Sequence, residues 1–423
     1  RWAHRRGRPG TRSPVPRGWS GRVGGWEFYL QARPAGSGGG QGSLLGAAAG
    51  FGLTLAAAFL AFRTAQPYAF MGLGLNPQWV QDMDMVGRLI AGEIDYPPSH
   101  QWAFRTPYVF PWVNMVQCGL GWPLGLTAWA GVAFAAYEAV FRRRTEHLLP
   151  LAWVLAVFGY LGGGFAPTMR YLFPIYPSLV LLAAYLLARL WEVQGRLGRV
   201  GVAAVVGGTV LWALAFTQIY RQPHPRIEAS RWIYANIPPG SVLAYEHWDD
   251  PLPLPIDGRN PAELYRGVEL PLYNEDTPEK LYGYPNQPGS GLLDKLDQAD
   301  YIILSSNRLY GSIPRLPMRY PMTTRYYQAL FGGELGFERA KTFNSFPGLF
   351  GLTINDQGAE EAFTVYDHPQ VDIFKKTPAY SRARAEQILG GVDWEAVRRV
   401  TPLEASRAPT GLMLRPEDLN IYE

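Results

Sequence analysis

The residues best suited to chemistry are four acids that lie between two long apolar runs. Asp82, Asp84, Glu93 and Asp95 all fall in the segment Thr64–Arg105. A carboxylate in such a segment can act as a general base on a hydroxyl acceptor, or it can hold a cation against a phosphate. On a regular helix, Asp82 and Asp84 would point about 200° apart and would not share one site. A solvated amphipathic helix without catalytic function is the alternative.

Arginines next to aromatic rings form a second set of candidates. Arg170 begins the run RYLFPIYP at 170–177, at one end of an apolar stretch, and Tyr171 follows it. A guanidinium group matches the geometry of a phosphate, so Arg170 is a candidate for holding a lipid phosphate. Arg105, in QWAFRTP, is a candidate for a second phosphate contact. Both arginines fit equally well as anchors that extend to the lipid headgroups.

The polar run EHWDD at 246–250 follows a predicted strand. Ligands in open α/β sheets bind beyond the carboxyl ends of the strands. Glu246, Asp249 and Asp250 are therefore candidates for a sugar or cation subsite, and a capped loop packed on the membrane domain is the alternative. The six histidines are scattered, so the sequence calls for no metal site and no cofactor, although the acids would accept a divalent cation.

Composition and charge exclude several classes of protein. Hydrophobic residues make up 48% of the chain and charged residues 17%, which excludes intrinsic disorder. The single cysteine, Cys118, excludes an internal disulfide. Residues 1–220 carry 18 basic and 8 acidic groups, whereas residues 221–423 carry 21 and 27. The net charge of +4 is thus the sum of two unlike halves, and without a recognition motif it does not indicate nucleic acid.

Uncharged apolar runs of spanning length are the strongest signal in the sequence. A bilayer core of roughly 30 Å needs about 20 helical residues, so each run fits one crossing. Prolines interrupt residues 106–137, and we expect the first part of that run to be interfacial or re-entrant. The predicted crossings are Gly42–Phe62, Gly119–Phe141, Leu148–Met169, Tyr171–Ala188 and Val200–Tyr220.

The arginines that flank these runs predict the orientation. Fourteen lie in the N-terminal segment and in the turns at 142–144 and 189–199, against four in the alternate loops. Positive residues favour the cytoplasmic side. The N-terminus is therefore predicted to be cytoplasmic in a multi-pass plasma-membrane protein, with the loop 63–105 and residues 221–423 on the exoplasmic side.

The pattern after Tyr220 is typical of an α/β domain. A helix over Arg226–Ile237 is followed by strands at Ser241–Tyr245, Tyr301–Leu304 and Gly348–Ile354, which favours a partly parallel sheet covered by helices. After Thr377 the segment Arg382–Leu389 is predicted to be helical. The chain begins with Arg1 rather than Met, so we expect a fragment of a longer protein. The predicted parts are a disordered basic segment 1–41, a transmembrane domain 42–220 of about five helices, an α/β domain 221–380 and a linker 381–423 to a further module.

Several of these segments resemble known families. RYLFPIYP at 170–177 resembles the start of a late membrane helix in the GT-C superfamily, in particular the family 39-like protein mannosyltransferases and lipid A aminoarabinose transferases. The segments AQPYAF, LNPQWVQDMD, DYPP and QWAFRTP, with EHWDD and ADYIILSSNRLYG, are similar to large prokaryotic polytopic proteins of the YYY family. In these proteins a GT-C-like half precedes a second membrane module, and residues 392–414 resemble the junction to it. The likeness covers about residues 62–423.

The resemblance implies an inverting glycosyltransferase with a partial GT-C-like helical membrane domain followed by an exoplasmic α/β domain. Such enzymes move a sugar from a polyprenyl-phosphate donor to an acceptor outside the membrane, using an acid in the first exoplasmic loop. Asp82 and Asp84 are the acids available here for that role, with Arg105, Arg170 and Tyr171 on the lipid phosphate. The alternative is a non-enzymatic, membrane-tethered module that binds glycan or peptide, and a transporter fits less well.

Overall fold

The computed structural model describes residues 40–72 and 74–407. The chain divides into two compact units, residues 1–80 and 81–423. Nearly all of the predicted disordered segment 1–41, and the predicted linker beyond residue 407, lie outside the described residues. The second unit contains a helical bundle and a domain built on a five-stranded sheet.

The helices of the first half of the chain are mostly apolar, and three of the later ones, Pro225–Asn236, Leu292–Gln298 and Pro321–Phe331, contact the central sheet. In the first half of the chain they are α1 Gly40–Ala65, α2 Pro77–Ile90, α3 Val109–Asn114, α4 Trp122–Phe141, α5 Leu148–Leu161, α6 Met169–Leu172, α7 Tyr176–Val193 and α8 Gly195–Thr217. In the second half they are α9 Pro225–Asn236, α10 Pro261–Leu264, α11 Pro278–Tyr282, α12 Leu292–Gln298, α13 Pro321–Phe331, α14 Glu361–Thr364, α15 Arg382–Leu389 and α16 Pro402–Arg407.

Within the described residues, four helical segments are long and apolar enough to cross a membrane: α1, α4, the continuous segment Met169–Val193 and α8. The chain is therefore a membrane protein. The predicted crossing at Leu148–Met169 differs from the structure, because α5 ends at Leu161 after 14 residues. The three glycines at 162–164 follow directly, and glycine is a poor helix former.

Helices α4 and α7 run in the same direction, which fixes the path of the short helix between them. Gly119, just before α4, lies against Tyr176 at the start of α7, and Gly131 further along α4 lies against Leu182 further along α7. The chain must therefore return between the two helices, and α5 is that return segment. The predicted interfacial part of residues 106–137 consists of α3 and one π-helical turn, Met115–Gly119.

The α/β domain lies at the end of the bundle where α4 and α6 begin and α8 ends. Ser345 Oγ donates a hydrogen bond to the backbone oxygen of Ile219, just after α8. Because α4 and α7 are parallel, the arginine-rich turns after them lie together at the opposite end. The α/β domain and the arginine-rich turns therefore lie at opposite ends of the bundle, as the charge bias in the sequence predicts. That the α/β domain is on the exoplasmic side remains a prediction from this charge bias.

Five strands form the central sheet: β3 Val242–Glu246, β4 Arg266–Leu270, β5 Tyr301–Leu304, β6 Phe337–Phe343 and β9 Val371–Lys376. The sheet is mixed, with the order β4-β3-β5-β9-β6. Strands β3, β4 and β5 are parallel, and β9 is antiparallel to β5 and to β6. This agrees with the predicted partly parallel sheet. The remaining strands form two separate hairpins, β1 Phe70–Met71 with β2 Gly74–Leu75, and β7 Gly348–Leu349 with β8 Leu352–Thr353.

The C-terminal part of the described chain differs from the predicted linker. Residues 381–407 pack on the α/β domain, and Ala385, Leu389 and Ala405 are buried in its core. The amide of Phe104 also donates to Ser406 Oγ at 3.1 Å, which ties this part of the chain to the polar loop before the bundle. The segment Gly348–Ile354, predicted as one strand, is a tight hairpin instead.

Candidate functional site

The sheet has a switch point at strand β3. The chain leaves β3 through α10 to β4 on one side and then crosses to β5 on the other side. At such a point the loops after the two inner strands diverge and leave a crevice, where α/β proteins usually bind ligands. The loops after β3 and β5 are His247–Asp250 and Ser305–Arg308, and Glu246 ends β3 directly before the first of them. The predicted sugar or cation subsite therefore lies at the switch point.

Two of its acids are bound by an arginine from α9. Asp249 lies 2.6 Å from Arg226 Nη2, and Asp250 lies 2.9 Å from Arg226 Nη1. Ser306 Oγ also donates to Asp249, while Arg226 Nε donates to the backbone oxygen of Ser305 at 3.1 Å. The Arg226 and Asp249 side chains are 8% and 2% exposed, so this ion pair is buried. Asp249 and Asp250 thus hold the two loops together.

Glu246 is the last residue of β3 and lies behind this ion pair. Its Oε1 accepts a hydrogen bond of 2.5 Å from Tyr327, and its Oε2 has no hydrogen-bond partner among the described residues. Burial raises the pKa of Glu246 to about 8. The side chain is therefore mostly protonated at neutral pH and serves as a neutral acid.

Arg308 connects the same edge of the sheet to the loop before the bundle. Its Nε lies 2.7 Å from Glu361 Oε1, and its Nη1 donates to the Trp248 backbone oxygen at 2.5 Å. The Gln101 side chain accepts from the Glu361 amide at 3.1 Å and donates to Glu361 Oε2 at 3.3 Å. The segment that contains Arg105 is thereby fixed to Glu361.

Glu360 makes the corresponding connection to the bundle. Its carboxylate accepts hydrogen bonds from Thr168 Oγ1 at 2.9 Å and from the Met169 amide at 2.8 Å. Its own amide donates to Asn114 Oδ1 at 3.0 Å. Burial raises the pKa of Glu360, although these bonds and the positive charge of Arg170 oppose the shift. The bonds of Glu360 and Glu361 to residues 101, 114, 168 and 169 are called the junction below.

The structure places both predicted phosphate ligands beside the junction. Arg170 follows Met169, is exposed, and holds its guanidinium 5.4 Å from the Tyr171 ring centroid. Arg105 lies four residues after Gln101; its Nε donates to the Gln101 backbone oxygen at 3.2 Å and its guanidinium lies 4.2 Å from the Phe110 ring centroid. Both arginines therefore belong to segments attached to one pair of glutamates.

Asp82 and Asp84 lie on α2, in which every residue is exposed or half-exposed. Their regular helical spacing turns them to different sides, as the sequence predicts. The C-terminal end of α2 reaches the turn before Arg170, because the Ile90 oxygen accepts from the Ala166 amide at 3.2 Å. Asp84 lies six residues from that point, about 9 Å along the helix.

Asp95 is the acid of this loop that the structure binds most firmly. Arg319 donates to both of its oxygens at 2.6 Å, and His100 Nε2 lies 3.2 Å away. Burial opposes ionisation, but these bonds outweigh it and hold the pKa of Asp95 well below its usual range. Asp95 is therefore a fixed carboxylate that joins the loop to the α/β domain.

A partly exposed aromatic cluster lies on the outer side of the switch point. Trp248 is 44% exposed and has a φ of 69°, a backbone conformation that is strained for a bulky residue. The rings of Tyr96 and Tyr273 meet it edge-on, with centroids 6.0 and 6.2 Å away. His247 Nδ1 lies 2.8 Å from Glu269 Oε1 beside it, and both side chains are about half exposed. These five residues are called the Trp248 surface below.

Sequence reasoning did not find Arg308, Glu360 or Glu361. Their partners lie 53 to 260 residues away in the chain, so no local pattern could show them. Within the described ranges, no group of three or more His, Cys, Asp or Glu residues is placed to hold a metal ion. No family model, no curated protein and no solved structure matches this chain.

Proposed function

We propose that the protein is a membrane glycosyltransferase that moves a sugar from a polyprenyl-phosphate donor to an acceptor on the exoplasmic face. One observation carries the proposal: the segments of Arg105 and Arg170 are both fixed to Glu360 and Glu361, at the end of the bundle and beside the switch point. A lipid phosphate lies at the end of a membrane-spanning bundle, and arginine is suited to bind it.

The proposed roles follow from these positions. Arg170 and Arg105 hold the phosphate, and Tyr171 lies against the lipid headgroup. Asp82 or Asp84 accepts the proton of the acceptor hydroxyl, whose oxygen then attacks the anomeric carbon. The bond from that carbon to the phosphate oxygen breaks, and the polyprenyl phosphate leaves with its negative charge stabilised by arginine. Attack opposite the leaving group inverts the anomeric centre.

The test is transfer of radiolabelled sugar by the full-length protein in proteoliposomes. Polyprenyl-phosphate donors carrying mannose, glucose or arabinose serve as probes. We expect Arg170→Ala to lower transfer at least tenfold and Arg170→Lys to retain part of it, because lysine keeps the charge without the planar fork. Arg196→Ala, at the opposite end of the bundle, is the matched control. Unchanged transfer by Arg170→Ala would refute the phosphate role, and no transfer from any of the donors would refute the proposal.

A non-enzymatic glycan-binding module is the second candidate. The Trp248 surface supports it, because an exposed aromatic ring can pack on the apolar face of a pyranose while His247 and Glu269 bind its hydroxyl groups. Binding of mannotriose or chitotriose to the full chain, measured by saturation-transfer NMR without any turnover, would favour this function. We expect Trp248→Ala to abolish that binding and Tyr284→Ala, which removes a comparably exposed ring of the same domain, to leave it intact.

A further inference from the structure

The β7–β8 hairpin presents two large apolar side chains to the outside. Phe350 is 87% exposed and Leu352 is 76% exposed. Gly348 pairs with Thr353 and Leu349 with Leu352, so the turn between the strands consists of Phe350 and Gly351. A tip this exposed and apolar is unusual on a soluble surface and is typical of a contact site.

The backbone conformation of the turn is unfavourable for Phe350, which occupies its first central position. Phe350 and Gly351 have φ angles of 54° and 82°, so both central residues are left-handed, as in a type I′ turn. Asparagine or aspartate followed by glycine suits this turn, and a bulky aromatic residue is strained at its first position. Strain that holds an exposed side chain at a tip points to a role for that side chain.

The base of the hairpin packs on a membrane-spanning helix. Pro347 and Ile354, which flank the strands, line a small cavity together with Trp212 and Phe216 of α8. The Ile354 amide donates to the Pro347 oxygen at 2.8 Å and closes the base. Trp212 lies five residues before the last residue of α8, or about 7.5 Å inside its end. The hairpin therefore begins at the depth of the last turns of a spanning helix, where Trp side chains mark the membrane interface.

The sequence of the segment suits an apolar environment. Residues 342–355 contain no charged side chain, so insertion of the tip desolvates no charge. The residues just before the hairpin are held to the end of α8 through the hydrogen bond from Ser345 to Ile219. The base of the hairpin is thus held at the end of α8.

We propose that the β7–β8 hairpin inserts Phe350 and Leu352 into the boundary between headgroups and acyl chains of the leaflet at this end of the bundle. The α/β domain then contacts the bilayer directly, in addition to its bonds at the junction. This inference does not depend on the proposed glycosyl transfer.

The test places an environment-sensitive NBD dye on the full-length chain in proteoliposomes. The dye is attached to Leu352→Cys in a Cys118→Ser background, which leaves Phe350 in place. The control position is Tyr284→Cys, on the same domain. We expect lipids with a doxyl group near the headgroup to quench the dye at 352 at least twice as strongly as at 284, with iodide showing the opposite order.

Two outcomes would overturn the proposal. Equal quenching at 352 and 284 by both agents would show that the hairpin lies in water. Protection of position 352 from iodide without quenching by doxyl lipids would show a protein partner instead of lipid. Phe350→Asp, with the dye at 352, provides a second measurement, and we expect it to lose most of the lipid quenching while the dye at 284 is unchanged.

Discussion

The interior of the helical bundle and the junction are held together by different forces. In the bundle, helices approach closely through small residues, as where Gly131 lies against the backbone of Leu182. At the junction, glutamates bind hydroxyl and amide groups from distant parts of the chain, and Glu361 also binds the Arg308 guanidinium beside it. The bundle is stabilised by apolar packing and the junction by polar bonds that are satisfied while buried. Substitutions in the two regions should therefore change the stability of the protein in different ways.

Removal of one charge beside the junction should have the largest effect. Arg308→Met leaves the buried Glu361 without its cation, and we expect the α/β domain to lose about 3 kcal/mol in its free energy of unfolding. The double variant Arg308→Met, Glu361→Leu should recover most of this loss, because it removes both charges. Thermal unfolding of the purified protein in detergent measures the loss in the single variant and the recovery in the double variant. Arg231→Met, in a pair 54% exposed on each side, is the control and should cost less than about 1 kcal/mol.

A methyl group added inside the bundle should have the next largest effect. A Cβ at Gly131 would lie 2.4 Å from the Leu182 oxygen, so Gly131→Ala must push α4 and α7 apart. We expect a loss of about 1–3 kcal/mol, seen as a lower unfolding temperature in detergent. At Gly207, on α8, a Cβ would meet no atom within 4 Å. If Gly207→Ala destabilised the protein as much as Gly131→Ala, close packing would not be the cause.

His368 should give the contact between α8 and the α/β domain a dependence on pH. It lies between Asp356, at 2.9 Å, and Asp367, which also accepts a hydrogen bond from Tyr220 after α8. Burial opposes the charge, but the two carboxylates raise the pKa of His368 from 6.5 to about 9. The contribution of protonated His368 to the free energy of unfolding is complete below pH 6.5 and is lost as the pH rises through about 9. We expect the unfolding temperature to fall over this range in the wild type.

The His368→Gln variant separates this effect from other titrations. Its unfolding temperature should be lower than that of the wild type at pH 6, and the two temperatures should be nearly equal at pH 10. A constant difference between the two proteins across that range would contradict the assignment.

Glu246 should add a second dependence on pH, which does not involve the junction. Its pKa is raised from 4.5 to about 8, so the neutral form stabilises the fold below pH 4.5 and that contribution is lost as the pH rises through 8. Glu246→Gln does not ionise. We expect it to match the wild type at pH 4.5 and to unfold at a higher temperature at pH 9. A variant that is less stable at both values would contradict the assignment, because it would show that the carboxyl group makes a stabilising bond that the amide of glutamine cannot replace.

Much of the secondary structure follows from local patterns. The buried run Tyr301–Leu304 is confirmed as a strand, and Arg382–Leu389 is confirmed as a helix that begins after the capping residue Ser381. The segment Gly348–Ile354 reads as one strand because most of its side chains are apolar and none is charged. Only the left-handed backbone at Phe350 and Gly351 divides it into a hairpin. A phenylalanine at that position gives no local signal of a turn.

The candidate site was predictable only in part. The run Glu246–Asp250 was located correctly at the end of a strand, because the strand and the polar residues after it are neighbours in sequence. Which of its residues face inward was not predictable, because Asp249 is bound by Arg226 from another element and Trp248 is turned outward by its backbone. The predicted roles of Asp82, Asp84, Arg105 and Arg170 remain predictions.

The sequence by itself determined that this is a membrane protein with an α/β domain, because hydropathy and strand patterns depend on neighbouring residues. Tertiary structure alone decided that Glu360 and Glu361 join the loop, the bundle and the sheet. The residues of the bundle and of its preceding loop that bind Glu360 and Glu361 lie 191 to 260 residues before these glutamates in the chain. A buried carboxylate is stable only where donors converge on it, and that convergence exists only after the chain has folded.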